Sequence, residues 1–92
     1  MEKNNNLGNF LKEKRVAAGY SQGDVAKKLG YTTSQFISNW ERGISAPPID
    51  VLKILSDMYQ ISADHMFKVI LESTVNRVTL NLKRKFYGKK AV

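Results

Sequence analysis

The sequence predicts an all-α fold built from short helices, and three observations carry that reading. Apolar residues recur at three- and four-residue intervals along most of the chain, as helices with one buried face require. Hydroxyl residues stand just ahead of several of these runs, where a helix start leaves backbone N–H groups to be satisfied. Glycines at positions 19, 30 and 43 follow them, and glycine takes the left-handed conformation of a helix end at no steric cost.

Residues 1–6 are polar and Asn-rich, and are expected to form a flexible N-terminus. From Leu7 to Ala18, the residues Leu7, Phe10, Leu11, Ala17 and Ala18 mark a first helix with Lys12, Glu13 and Lys14 towards solvent. Ser21 and Asp24 have the spacing of a capping box, so a second helix starts near Gln22. Val25, Ala26 and Leu29 share one face of it, and Gly30 ends it. Thr32 and Gln35 repeat the capping signal for a third helix, Thr33–Arg42, with Phe36, Ile37 and Trp40 as its apolar stripe. Its polar residues Thr33, Ser34, Gln35, Ser38 and Asn39 are left for the outer side.

Ile44–Pro48 is a loop by its prolines, the second of them suited to a helix start. Ile49, Leu52, Ile54, Leu55 and Met58 then predict a strongly apolar fourth helix ending near Tyr59. Ser62 is the N-cap of a fifth, with Asp64 in the turn where the helix dipole favours an anion and Met66, Phe67 and Ile70 facing the core. Ile61 should plug the gap between the two. Past Leu71, the residues Leu71, Val75, Val78, Leu82 and Phe86 recur at helical spacing and predict a sixth helix. The alternation of Val78, Leu80 and Leu82 is the strand reading of the same stretch. On either reading an apolar stripe lies outside the core and needs cover.

At 92 residues the chain suits one domain with a modest core: residues 7–70, followed by a basic extension, 71–92. The net charge of +7 resides in that extension, because residues 1–76 hold nine Lys or Arg against eight Asp or Glu while residues 77–92 hold six and no acid. Such a cluster attracts nucleic acid by counterion release, and equally suits a solvated terminus or an acidic protein partner. Cysteine is absent, which removes disulfides, thiolate metal sites and cysteine nucleophiles. MEKNNNLGNF lacks the apolar run of a secretory signal and no stretch reaches the length of a membrane span. A soluble, cytoplasmic chain is expected.

The run Ser21-Gln22, Val25-Ala26, Leu29-Gly30, Ile37-Ser38 and Glu41-Arg42-Gly43 resembles the helix-turn-helix of the Cro and lambda-repressor-like (XRE) transcription regulators. The resemblance spans roughly Leu7 to Phe67, with one more residue in the stretch Tyr31-Thr32-Thr33 than the commonest family pattern has. It implies a five-helix DNA-binding domain that reads double-stranded DNA, most simply as a homodimeric repressor. By family position, and by their place on the exposed part of the third helix, Thr33, Ser34, Gln35, Ser38 and Asn39 are the expected base readers. Gln35 and Asn39 lead, since an amide pairs bidentately with adenine. With no Arg or Lys expected on that face to grip guanine, contacted positions rich in A·T follow. Gln22 matches a family phosphate contact at the second helix's N-terminus. Arg42 and the N–H groups around Gly43 and Ile44 could hold phosphates on the other flank, or Arg42 could complement the end of its helix.

Arg15 lies beside the apolar stripe of the first helix, where an unpaired guanidinium would be costly to cover. The resemblance implies that it pairs with Glu41. Tyr31, in the turn, suits surface packing or a phosphate contact through its hydroxyl, and Trp40 reads as core or as a lid on the loop before Pro47. No nucleophile with a base, paired carboxylates or phosphate-cradling glycine loop appears, and His65 lacks companions for a metal, so no enzyme, cofactor or metal site is expected. The alternative function is a protein-interaction module on the same fold, for example an antitoxin, binding its partner through residues 71–92.

Overall fold

A computed structural model describes residues 6–88. The expected flexible N-terminus thus lies outside the described residues except for Asn6, which opens the first helix. The chain forms five helices: α1 (Asn6–Ala17), α2 (Gln22–Leu29), α3 (Gln35–Glu41), α4 (Ile49–Met58) and α5 (Ala63–Tyr87). No strand occurs among the described residues. The extension therefore takes the helical reading, but as a continuation of α5, which runs for 25 residues without a break at Leu71. Nothing between Ile70 and Phe86 can stop a helix, since that stretch has neither glycine nor proline.

Local chemistry fixes most ends. The Ser21 hydroxyl accepts from the Asp24 N–H at 3.0 Å, and the Asp24 carboxylate accepts from the Ser21 N–H at 2.9 Å, closing the capping box. Those bonds hold the Asp24 carboxyl below its ordinary value of 3.8. The carboxylate's contribution to the cap is therefore fully present above that pH and is lost as acid carries the solution through the lowered value, while the Ser21 hydroxyl bond does not titrate. Gly19, Gly30 and Gly43 take positive φ at the ends of α1, α2 and α3. At the end of α4 the same conformation falls to Gln60, at φ 58°, and the Ile61 N–H bonds back to Ser56 O at 2.8 Å. No sequence signal marks that turn.

The helices close over Leu11, Val25, Ile37, Trp40, Leu52, Leu55, Tyr59 and Met66, with α1 packed on α3 and α5, α2 on α3, and α4 on α5. Ile61 is buried between α4 and α5. Several expected core residues stand in solvent instead. Phe36, Ile49, Ile54 and Phe67 are about half exposed or more, and Ala17 and Ala18 are exposed as well. The reason is angular, because adjacent helical residues lie about 100° apart. Ile37, Leu55 and Met66 take the inward position, and each turns its neighbour Phe36, Ile54 or Phe67 outward.

Ser21→Ala removes the acceptor for the Asp24 N–H and should cost about 1 kcal/mol, a fall in Tm of roughly 4 to 8 °C for a domain this size. A thermal melt of the full chain checks it, with Ser45→Ala, outside any cap, as the neutral control.

Candidate nucleic-acid interface

The second and third helices meet around the turn Gly30–Ser34, and α3 starts later than the sequence suggests. Its N-cap is Ser34, whose side chain makes no capping bond. The Thr33 hydroxyl accepts from the Gln35 N–H at 2.8 Å in its place. The helix is Gln35–Glu41 rather than Thr33–Arg42, so Thr33 and Ser34 belong to the turn. The added residue of the Tyr31–Thr33 stretch is absorbed there. The Tyr31 ring packs on Phe36 at 4.9 Å and edge-on to Trp40 at 6.0 Å, bracing the turn against the helix it leads into.

A seven-residue helix is too short to hold its own orientation, and a buried carboxylate supplies the constraint. Glu41, on the inner face, accepts from Arg15 Nε at 2.7 Å through Oε2 and from Arg15 Nη2 at 3.1 Å through Oε1. Gln22 Nε2 donates to the same Oε1 at 2.9 Å. One carboxylate thus joins α1, α2 and α3. Arg15 Nη1 donates onward to Tyr20 O at 2.8 Å, fixing the α1–α2 connection. The guanidinium's proton is held more tightly than usual, chiefly through the Glu41 bond. Burial and the Glu41 charge push the nearby Tyr59 phenol up, so it stays neutral.

The opposite face of α3 is polar. Gln35 Nε2 donates to Asn39 Oδ1 at 3.0 Å, and Arg42 Nη2 donates to the same oxygen at 3.1 Å. Arg42 Nε donates to the Ser38 hydroxyl at 3.2 Å. Asn39 therefore has both carbonyl lone pairs engaged, whereas Gln35 keeps its Oε1 acceptor and one N–H without a partner among the described residues. Gln35 is thus the amide left with the donor and acceptor that adenine recognition needs, and Asn39 is the group that orients it. Arg42 lies along this face, contrary to the expectation that no guanidinium reaches it, so the A·T argument loses its footing.

The flanks differ from the sequence reading too. The N–H groups of Gly43 and Ile44 are spent on Trp40 O and Asn39 O, leaving the Arg42 side chain as the candidate there. Sequence reasoning also missed a groove of about 380 Å³ between the loop after α3 and α5, lined by Gly43, Ile44, Asn76, Arg77, Asn81 and Arg84. Its basic residues were visible only as an undifferentiated charge run. Among the described residues no His, Cys, Asp and Glu gather in a way that could hold a metal, and no helix is long and apolar enough to cross a membrane.

Two short helices around a tight turn, the second polar outside and pinned inside by a shared carboxylate, define a helix-turn-helix. The sequence profile of the helix-turn-helix family matches residues 11–66, and the chain belongs to the XRE-type branch of that family, which comprises DNA-binding transcription regulators and not enzymes. It is 34% identical over 87 residues to the HTH-type transcriptional regulator ImmR of Bacillus subtilis (strain 168), covering 84% of this chain and 68% of that protein. No solved structure matches.

Arg15→Ala should leave the Glu41 carboxylate buried without its cation and cost about 3 to 5 kcal/mol, against at most about 0.5 kcal/mol for the exposed Lys12→Ala. Urea unfolding of both variants checks the difference; equal midpoints would remove the constraint assigned to this pair.

Proposed function

We propose that the protein is a sequence-specific, double-stranded DNA-binding repressor that seats α3 in the major groove. The single observation that carries this reading is the outer face of α3, where Gln35, Asn39, Arg42 and Ser38 form one hydrogen-bonded polar array. Gln35 reads adenine through its amide, oriented by Asn39. Asn39 and Ser38 meet neighbouring base edges, and Thr33 and Ser34 meet a phosphate or base at the turn. The exposed Phe36 ring beside Gln35 suits contact with a thymine methyl.

Gln22, Tyr31 and Arg42 are the proposed phosphate contacts, which set register without reading sequence. Gln22 does so with its second amide hydrogen, the first being held by Glu41. The repressor acts in the cytoplasm as a homodimer, its body excluding other proteins from the operator. Residues 7–70 form the DNA-binding unit and 71–92 the association element. A second reading, a protein-interaction module such as an antitoxin, is favoured by the apolar stripe that 71–86 leaves in solvent.

Selection of bound sites from random duplexes tests the assignment. Wild type should select a defined half-site, and Gln35→Ala should lose discrimination at one position by about 1 to 3 kcal/mol, roughly 5- to 150-fold. Unchanged preference in Gln35→Ala would eliminate it as a reader, and no selection by wild type would favour the protein-interaction reading.

A further inference from the structure

The apolar residues on the outer face of α5 form a sequence that reads the same in both directions. They are Phe67, Leu71 and Val75, then Val78, Leu82 and Phe86, and the spacings between them are symmetric about the point midway between Asn76 and Arg77. All six are exposed, from 46% at Val78 to 81% at Phe86. At 3.6 residues per turn they fall within an arc of about 100° and run for roughly 28 Å along the axis. The helix's other side is occupied, by Met66, Val69 and Ile70 against the core and by Arg77, Leu80 and Arg84 along the groove beside the α3–α4 loop. The stripe is therefore a continuous, solvent-facing ridge, with Leu71 and Val75 at its edge lining a recess beside Asn6 of α1.

We propose that the occupant of this ridge is the same ridge of a second copy, paired antiparallel about a two-fold axis between Asn76 and Arg77. This specifies the homodimer suggested above. In that register Phe67 is level with Phe86 of the second copy, Leu71 with Leu82 and Val75 with Val78, and every layer repeats by symmetry. Leu71, Val75, Val78 and Leu82 have the alternating four- and three-residue spacing of a coiled-coil seam.

Charge selects this orientation over the parallel one. Residues 63–76 carry Asp64 and Glu72 against Lys68, a net −1, whereas residues 77–88 carry Arg77, Lys83, Arg84 and Lys85, a net +4. Parallel pairing sets the two basic halves side by side. Antiparallel pairing sets each against the weakly acidic half of its partner, and brings Glu72, on one flank of the seam, opposite Lys83 of the second copy.

The chain has no cysteine of its own, so engineered thiols report the register directly. The full chain should have the mass of a dimer by light scattering. Leu71→Cys co-expressed with Leu82→Cys should form a disulfide-linked dimer on mild oxidation, while each variant alone should not, its thiols lying too far apart to bridge. Val78→Glu, at an exposed site outside the core, should give a monomer whose α1–α4 domain stays folded, any loss of helix being confined to the extension. A monomeric wild type, self-linking of either single variant, or a dimer that survives Val78→Glu would overturn the proposal. No DNA enters these measurements, so their failure leaves the reading of bases by α3 standing.

Discussion

The architecture depends on where one buried carboxylate is placed. Glu41 sits near the C-terminal end of α3, accepts from Arg15 of α1 and Gln22 of α2, and has no water-exposed alternative. A buried carboxylate is tolerated only where its lone pairs are filled, so the three helices can pack in only those orientations that bring both donors to it. An apolar residue at the same position would bury as well and need less compensation. It would also accept a range of helix angles, because hydrophobic contact has no direction. The directional bonds set the angle, and a helix that must present side chains to a groove depends on its angle more than on its depth of burial.

That constraint lets α3 divide its few residues between two tasks. Ile37, Trp40 and Glu41 face inward and anchor it, while Gln35, Ser38, Asn39 and Arg42 face outward. Its N-cap does not help, since Ser34 makes no side-chain bond. The missing stabilisation comes from the turn, through Thr33 and the Tyr31 ring on Phe36. The outer array is also pre-organised. Asn39 Oδ1 holds Gln35 and Arg42 together, so the Gln35 amide is oriented in the free protein, and any ligand it meets would cost less rotamer entropy.

What the sequence made legible was whatever local chemistry determines. The Ser21–Asp24 box, the glycines that end α1, α2 and α3, the Ser62 cap and the inward positions of Leu11, Val25, Leu52 and Leu55 all follow from spacing and residue type. Three kinds of feature did not. The direction of an apolar residue beside the true core position, as at Phe36 or Ile54, depends on which of two adjacent residues the neighbouring helix meets. The left-handed turn at Gln60 carries no glycine. Side chains that bond across helices, such as Gln22 to Glu41, or that fold back along their own, such as Arg42 to Asn39, depend on distances that only the assembled fold provides. The site was therefore legible as a set of positions, and much less so as a network.

The long α5 shows the same limit and gives it a consequence. Its first turns are held by Met66 against the core, but from Leu71 to Phe86 the residues of its apolar stripe are about half exposed or more. An isolated helical segment of that length is marginal in water even with good formers, and this one contains Val75, Val78, Thr74 and Thr79, whose branched side chains lower helix propensity. Pairing of two such segments would supply the missing packing, and then the helicity of the extension and the association of the chain are one equilibrium. Protein concentration enters that equilibrium by mass action, and in a dimer it sets how many recognition helices a bound operator meets at once. On that proposal, a rigid domain joined to a conditionally ordered stalk would make operator occupancy steeper in concentration than a preformed dimer would, with no effector site required.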